Sequence, residues 1–403
     1  MPTLFLIVFV DLIGFGLIIP LLPFFGEHLQ ATPAQVGLLM AAYSCAQFLT
    51  APFWGRISDR IGRRPVLIVG IAGATLSYLW LAFADGLWML FAARLFGGAM
   101  AGNISAAFAY VADITGPHNR AKGMGMLGAA FGLGFIFGPA IGGVLAGSDP
   151  LAADYRTPAL TAAALAGTAL VLTLAILPES LSKEVRARQA TLPPRIRRQA
   201  LRRAVTQPSV LLLLVVSFLA VFVFAGMETT FAMWSRRQFG WGPQQNGYLF
   251  AFVGLMSAAI QGGLVGRLAR RFGEGRLIVF GAAALALGMV MIPLSTSLAW
   301  LLAAMVVVAC GFSLVSPSLN SLISLQVDAV VQGGTMGITR STTTLARVLG
   351  PGWAGAMFHY VGMDWPFLGG ALVMAAVMVL SLRTIHFDRR SRRTEPDGEA
   401  APR

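Results

Sequence analysis

Twelve apolar stretches separated by short polar loops restrict the possible folds of this chain more than any other feature. Each is about 20 residues long, which suits a helix that crosses a bilayer, whereas membrane strands would show short alternating segments. Only 12% of the 403 residues are charged, about half the share in a soluble domain. We therefore predict an all-α membrane protein with twelve transmembrane helices, at about 3–25, 34–54, 66–84, 87–112, 122–147, 157–178, 209–233, 244–265, 276–294, 297–325, 334–360 and 365–383.

The basic residues lie almost entirely in alternate loops. If both termini are cytoplasmic, the outer loops hold only Arg156, Arg236 and Arg237, and the other loop arginines and lysines face inward. The positive-inside rule then predicts that both termini are in the cytoplasm. We expect a multi-pass protein of the cell (inner or plasma) membrane. A net charge of +13 is also typical of nucleic-acid binding. These charges lie between apolar stretches and not on one solvated domain, so we predict no nucleic-acid partner.

Several features recur 211 to 214 residues apart, which indicates an internal repeat. Gln47 corresponds to Gln261, Gly55 to Gly266, and the Gly-Pro pair at 138–139 to the pair at 350–351. Two six-helix halves in the same orientation are typical of parallel repeats with a substrate site between them. We predict bundles at 1–180 and 208–385, a basic cytoplasmic connector at 181–207 and a disordered cytoplasmic tail at 386–403. The connector is either a solvated linker or an amphipathic stretch on the inner membrane surface.

Four ionisable side chains lie well inside predicted helices: Asp11, Arg94, Glu228 and Arg347. Each would cost roughly 2.5–3.5 kcal/mol if it were unpaired at the bilayer centre. Each half carries one acid and one base, so the set can be neutral. An acid that takes up a proton in a dry cavity is what proton coupling needs. We hypothesise that the two acids are proton-sensitive and the two arginines modulate them. The alternatives are a structural ion pair between helices 1 and 4, and a hydrated Glu228 near the outer surface.

Other side chains within the spans are candidates to line a cavity or to join helices. The candidate cavity-lining residues are Gln47, Asn103, Phe231, Gln261 and Asn320, although hydrogen bonds between helices would equally explain the polar ones. Trp234, Trp241, Trp300 and Trp365 are more typical of interface anchors.

The sequence offers no pattern for a cofactor, a metal ion or enzymatic catalysis. The four histidines lie in loops or at helix ends, and the two cysteines lie in different halves. No phosphate loop with Gly-Lys-Ser/Thr is present, so ATP is not expected to drive this protein.

Four motifs in the predicted order resemble those of the major facilitator superfamily, in its drug:proton antiporter branch. They are Asp11 to Pro23 in helix 1, Gly55 to Arg64 (GRISDRIGRR) in loop 2–3, Arg94 to Gly98 with Gly102 in helix 4, and Gly134 to Gly143 (GFIFGPAIGG) in helix 5. The resemblance extends to about residue 385 and is strongest to tetracycline-resistance-protein-like transporters. It implies a monomeric secondary transporter that exports a lipophilic or cationic small molecule in exchange for protons by alternating access, without a cofactor.

The resemblance also implies roles for two groups of residues. The first is a cytoplasmic gate in which Asp59 meets the start of helix 11 and Arg63 pairs with Asp113. Gly55 and Gly62 shape that loop, and we add Arg340 as a candidate partner of Asp59. The second is the helix-5 antiporter motif, which packs helices closely and limits leak, formed by Gly134, Gly138, Pro139, Gly142 and Gly143.

The chain departs from the tetracycline exporters at three places. Where they carry an acid in helix 3, a histidine in helix 8 and an aspartate in helix 9, this chain has Ser77, about Ser257 and about Ala283. The sequence therefore does not predict a substrate. Two other functions stay open: uptake or facilitated diffusion of a small metabolite, and a non-transporting membrane receptor or scaffold with the same fold.

Overall fold

The computed structural model describes residues 1–115, 117–180, 202, 205–327 and 329–385, with the backbone alone for 117–122, 329–331 and 333. In these residues all regular structure is helical, and a helix covers each of the twelve predicted stretches. The helices are α1 Pro2–His28, α2 Pro33–Ile61, α3 Arg63–Ala82, α4 Leu87–Ile114, α5 Pro117–Ala146, α6 Arg156–Ile176, α7 Pro208–Phe239, α8 Pro243–Phe272, α9 Glu274–Met291, α10 Leu298–Leu325, α11 Ala329–Tyr360 and α12 Trp365–Ser381. Most of the predicted connector and the whole predicted tail lie outside the described residues.

Local sequence chemistry sets the ends of several helices. At the start of α2, the Thr32 hydroxyl accepts a hydrogen bond from Gln35 N and the Gln35 side chain accepts one from Thr32 N, which is a capping box ahead of Pro33. At the start of α10, the Ser297 hydroxyl accepts a hydrogen bond from Trp300 N and so caps the helix. Gly62 separates α2 from α3 with a φ of 115°, a value that a residue with a side chain rarely adopts.

Three of the helices contain an interruption that the apolar pattern does not predict. In α1 a 3-10 turn at Ile19–Leu21 contains Pro20. In α4 the segments Leu87–Met100 and Asn103–Ile114 are joined by a short turn. In α8 a π-helical turn covers Ile260–Leu264.

Ten of the helices, α1 to α10, are long and apolar enough to cross a membrane. The last two fall outside that group for different reasons: α12 has 17 residues, and α11 has 32 but includes the polar run Thr339 to Thr344. Large apolar side chains such as Trp88 and Leu372 are exposed on the helices, as expected where the surroundings are lipid. The chain is therefore a multi-pass membrane protein.

The described residues form two compact units. The first contains α1 to α6 together with Ala225–Leu255 and Arg347–Pro366. The second contains the remainder of α7, Met256–Ala346 and the described residues from Phe367 onward. These units group residues by contact and not by repeat, so the division into two six-helix halves stays a prediction.

In the first unit, α1 packs against α5 and α6, α3 packs against α6, and α2 packs against α4. In the second unit the principal contact joins α9 and α10. One prediction about the tryptophans is wrong: Trp234 is fully buried, and its indole nitrogen donates a hydrogen bond of 2.8 Å to Asp364. Trp300 and Trp365 are half exposed, as interface anchors would be.

Candidate functional site

A carboxylate is buried in the middle of the first unit, on α1. Asp11 accepts a hydrogen bond of 2.8 Å from the side-chain amide of Asn103, which begins the second segment of α4. The other carboxylate oxygen of Asp11 is buried and has no hydrogen-bond partner in the part of the chain that the structure describes. Asp11 therefore retains one oxygen that is free to bind a proton or a water molecule.

The glycines of α5 hold α1 in position around this carboxylate. A methyl group placed on Gly134 would lie 2.8 Å from Leu12 Cβ, and one placed on Gly138 would lie 2.6 Å from the carbonyl carbon of Gly16. A methyl group placed on Gly142 would lie 2.5 Å from Leu17 O. Because any larger residue would push these backbones apart, glycine at these three positions allows α5 to pack directly on α1 beside Asp11.

Arg94 is also buried, but it forms no ion pair with Asp11. Its guanidinium carbon lies 4.4 Å from the centre of the Tyr43 ring, and its Nε has no hydrogen-bond partner among the described residues. A cavity of about 20 Å³ lies beside both charges and is also lined by Ser77 and Tyr78. A volume of this size holds about one water molecule.

A second small cavity, of about 10 Å³, lies against Asp11 and Asn103 and is otherwise lined by apolar side chains such as Leu67 and Phe131. The carboxylate thus has a polar hollow toward Arg94 and an apolar hollow toward α5. This arrangement suits a group that gains and loses a proton more than it suits a fixed structural ion pair.

The other two predicted intramembrane charges lie together in the first unit. Arg347 on α11 and Glu228 on α7 approach to 3.9 Å between nitrogen and oxygen. The side chain of Glu228 is 14% exposed and that of Arg347 42% exposed. This pair is therefore looser and wetter than the site around Asp11.

Arg63, the first residue of α3, joins three helices at the predicted cytoplasmic loop. It forms ion pairs with Asp59 of α2 at 2.6 Å and with Asp113 of α4 at 2.9 Å. It also donates a hydrogen bond to Ser58. The side chain of Asp59 is 58% exposed, whereas that of Arg63 is only 6% exposed. Gly55 lies in the last turns of α2, where a methyl group would meet no atom within 4 Å.

Glu179, beside this loop, was not predicted from the sequence. Its carboxylate accepts hydrogen bonds from the backbone nitrogens of Arg63 at 2.8 Å and Arg64 at 3.1 Å, so it caps the start of α3. A methyl group on Gly62 would overlap the Glu179 carboxylate, which explains the glycine in addition to its backbone angle. Arg340, the remaining gate candidate, belongs to the second unit.

The candidate cavity-lining residues fall into different environments. Phe231 is fully buried and packs against Trp234 and Phe250, so it lies in a core and not on an open wall. Gln47 is half buried. Gln261 and Asn320 are exposed in the second unit, and Gln261 lies in the π-helical turn of α8, 3.4 Å from the Ser313 hydroxyl.

Comparison with known proteins gives consistent matches over nearly the whole chain. The family model described as Major Facilitator Superfamily matches residues 4–351. The class C tetracycline resistance protein of Escherichia coli is 32% identical over 389 residues, covering 95% of this chain and 96% of the relative. Multidrug resistance protein 2 of Bacillus subtilis (strain 168) is 31% identical, covering 94% of each chain.

Solved structures agree with these matches. The crystal structure of the human organic anion transporter MFSD10 (TETRAN) is 28% identical with a TM-score of 0.71, covering 94% of this chain and 98% of that one. A POT family transporter bound to a thioalcohol-conjugated peptide has a TM-score of 0.76 at 14% identity, covering 97% of this chain and 96% of that one. At this low identity the second match supports the fold alone.

Proposed function

The chain belongs to the major facilitator superfamily, as its motifs predict, and it is a transporter. From this premise we propose that it exports a lipophilic or cationic small molecule in exchange for protons by alternating access. The similarity to tetracycline and multidrug resistance proteins over nearly the whole chain supports export. Because the chain is also similar to an organic anion transporter, the test below includes an anionic compound as well as a cationic one.

The buried carboxylate of Asp11 carries the proposal of proton coupling. One of its oxygens is held by Asn103, and the other is unpartnered among the described residues. Asp11 also lines the hollow beside Arg94. In an apolar surrounding the neutral, protonated acid costs less than the ion. Arg94, which has no carboxylate within ion-pair distance in the described chain, favours the ion when water enters. Glu228 and Arg347 form the second proposed coupling pair.

The proposed cytoplasmic gate depends on Asp59. Its carboxylate is more than half exposed and is held on one side by Arg63, so it retains acceptor capacity for a second partner. We propose that Asp59 meets the start of α11, with Arg340 as a candidate partner, when the inner side closes. The contact would break when that side opens, as in a two-state latch.

The cellular setting is part of the same proposal. We expect a monomer in the cell membrane with both termini in the cytoplasm, acting on a small molecule and protons without a cofactor, a nucleic-acid partner or an enzymatic activity. The concentration of arginine in alternate loops supports this orientation.

Proton release from purified protein tests substrate and coupling together. Tetracycline, a lipophilic cation and an organic anion are each added to the protein in weakly buffered detergent containing a pH indicator. We expect at least one of them to release protons from the wild type and to release few or none from Asp11→Asn. Inside-out vesicles with an acidic interior should then accumulate the same compound, and the variant should lose most of this gradient-driven uptake.

The matched control is Asp85→Asn, because Asp85 lies exposed in the loop before α4 and should behave as the wild type. Full gradient-driven transport in Asp11→Asn would remove Asp11 from the coupling step. A substrate that is transported equally well without a pH gradient would instead exclude proton coupling and leave facilitated transport.

A further inference from the structure

The interruption of α4 lies beside the buried carboxylate of Asp11. The first segment of α4 stops at Met100 and the second starts at Asn103, and Ala101 and Gly102 between them form the α4 turn. Gly102 N donates a hydrogen bond of 2.7 Å to Met100 O and not to the carbonyl four residues back. A break of this kind leaves backbone groups unpaired where water is scarce, so it needs partners from outside the helix.

The break gives the side-chain amide of Asn103 a fixed direction. Ile104 is the second residue of the new segment, where the backbone N–H has no acceptor within that segment. Asn103 Oδ1 accepts a hydrogen bond of 2.9 Å from Ile104 N, and Asn103 Nδ2 donates one of 2.8 Å to Asp11 Oδ2. With the amide reversed, a donor would face the Ile104 N–H and an acceptor would face the carboxylate. The free N–H that the break creates therefore turns the amide donor toward Asp11.

Trp54, near the end of α2, holds the α4 turn in place. Its indole nitrogen donates a hydrogen bond of 2.6 Å to Ala99 O, the carbonyl that Asn103 N would bond in a continuous helix. A methyl group placed on Gly102 would overlap the Trp54 ring. The indole thus replaces the missing helical donor, and the glycine lets the ring lie directly on the turn.

Helix α3 packs on the same turn through two glycines. A methyl group on Gly70 would lie 2.8 Å from Asn103 Cβ and 3.0 Å from Met100 O. One on Gly73 would overlap the side chain of Met100. The residues on both sides of the turn are therefore held closely, and the position of the Asn103 amide depends on how the turn is held.

We propose that Trp54 is a positioning residue for the carboxylate of Asp11, and that it acts through the α4 turn and the amide of Asn103. Among the described residues no hydrogen bond joins Trp54 to Asp11, so the effect passes through Asn103. The turn supplies the N–H that orients the amide, and Trp54 supplies the donor that the turn leaves missing. This inference rests on the proposed role of Asp11 in proton coupling.

Other titratable or charged groups also face Asp11, and the test leaves them unchanged. Three of them line the hollow beside it: Tyr43 of α2, Tyr78 of α3 and Arg94 of α4. Helices α5 and α6, which also pack on α1, carry no titratable side chain from Gly123 to Ala146 or from Thr157 to Ile176. A substitution of Trp54 alters none of these groups, so its effect on Asp11 is expected to arise at the turn.

The test follows the protonation of Asp11 in full-length protein purified in detergent, without substrate. Infrared spectra are recorded over a series of pH values, and the carboxyl band that Asp11→Asn lacks is assigned to Asp11. The intensity of this band against pH gives a titration midpoint. Trp54→Phe keeps an aromatic ring over Gly102 but removes the N–H donor, and we expect it to move the midpoint by about one pH unit. Trp88→Phe is the matched control, because Trp88 is 69% exposed at the start of α4, and its midpoint should equal that of the wild type.

Asn103→Ala decides whether Trp54 acts through the amide. It removes the hydrogen bond to Asp11 itself, so it should move the midpoint at least as far as Trp54→Phe and in the same direction. The double variant should titrate as Asn103→Ala does alone, because no amide is left for the turn to position. Two shifts that add in full would overturn the proposal, as would a midpoint in Trp54→Phe that equals that of the wild type.

Gly102→Ala disturbs the turn from its other partner, should Trp54→Phe fail to fold. Its added methyl group would displace the Trp54 ring, so its midpoint should also shift. Gly132→Ala on α5 should titrate as the wild type, because a methyl group there meets no atom within 4 Å. An unchanged midpoint in Gly102→Ala would contradict the proposal.

The same spectra separate failure of this inference from failure of the proposed function. If the wild type showed no Asp11 carboxyl band at any pH, Asp11 would not take up a proton, and both the proposed coupling and this inference would fall. If the band were present and its midpoint did not respond to Trp54→Phe or Gly102→Ala, only the role of Trp54 would be excluded.

Discussion

Arg63 is the residue on which the loop between α2 and α3 depends. It bridges Asp59 and Asp113, and Asp113 also accepts a hydrogen bond of 3.1 Å from the Ser180 hydroxyl. The Asp113 side chain is 16% exposed and the Asp59 side chain 58% exposed. If the arginine is removed, water can therefore solvate the Asp59 carboxylate much better than the Asp113 carboxylate.

This difference predicts unequal effects on stability. Arg63→Ala should lower the free energy of unfolding by about 2 kcal/mol, because the largely buried Asp113 carboxylate loses its charged partner. Asp59→Asn should cost less than about 1 kcal/mol, because its ion pair is largely exposed. Thermal unfolding of the detergent-solubilised variants measures both. Equal destabilisation by the two substitutions would show that exposure does not govern these pairs.

The sequence predicted the charged residues of the site better than their partners. The helix motifs identified Asp11, Arg94 and Arg63 because a charge within or beside an apolar stretch is conspicuous. Two contacts were not predicted: the amide of Asn103 bonds to a residue 92 positions away, and Glu179 caps a helix 116 positions away. Such pairs depend on how helices pack, which an apolar pattern does not record.

At the scale of the helix, length was predictable and interruption was not. An apolar stretch of about 20 residues indicates a span whether or not its backbone is continuous. The turn in α4 has a local reason: Gly102 lies against the Trp54 ring, whose indole nitrogen donates a hydrogen bond of 2.6 Å to Ala99 O. A carbonyl left without a helical donor thus finds one on α2. Among the residues that the structure describes, no comparable contact accounts for the π-helical turn in α8.

The start of α6 provides a pH-dependent prediction outside the membrane. The Asp154 carboxylate accepts hydrogen bonds from the Thr157 hydroxyl and from the backbone nitrogens of Thr157 and Arg156. These bonds, that of the hydroxyl first, hold the pKa of Asp154 below its ordinary value. A carboxyl with a lowered pKa stabilises the fold above its unfolded-state pKa, and it loses that contribution as the pH falls through the folded-state pKa.

Asp154→Ala should therefore reduce stability by about 1 kcal/mol at pH 7, and the difference from the wild type should shrink below pH 4. Thermal unfolding in detergent at a series of pH values measures this. Asp149→Ala is the matched control, because Asp149 accepts one backbone hydrogen bond from Leu151 and caps no helix. If Asp154→Ala lost the same stability relative to the wild type at pH 3 as at pH 7, the carboxylate would not act as the proposed cap.

For the whole molecule, the repeat read from the sequence has a counterpart in the structure. Offsets of 211 to 214 residues predicted two similar halves. A methyl group on Gly37 would overlap the carbonyl oxygen of Pro351, and one on Gly247, 210 residues later, would overlap that of Pro139, which lies 212 residues before Pro351. The compact units nevertheless divide α7, α8 and α11 between them, and their boundary also separates the first two residues of α12 from the rest. Composition and spacing indicate which residues correspond between the halves. The contacts between helix ends depend on the conformation, so they could not be predicted from the sequence.

The number of helices and their orientation can be tested together. Arg56, after most of α2, and Leu151, after α5, are both exposed and are separated by three helices. An odd number of spans puts them on opposite sides of the membrane, and the arginine-rich loop should be inside. In cysteine-free protein, Leu151→Cys should react with an impermeant maleimide in intact cells, and Arg56→Cys only in inside-out vesicles. Labelling of both from one side would mean that one of α3, α4 and α5 does not cross. Labelling of Arg56→Cys in intact cells, with Leu151→Cys labelled only in inside-out vesicles, would reverse the predicted orientation.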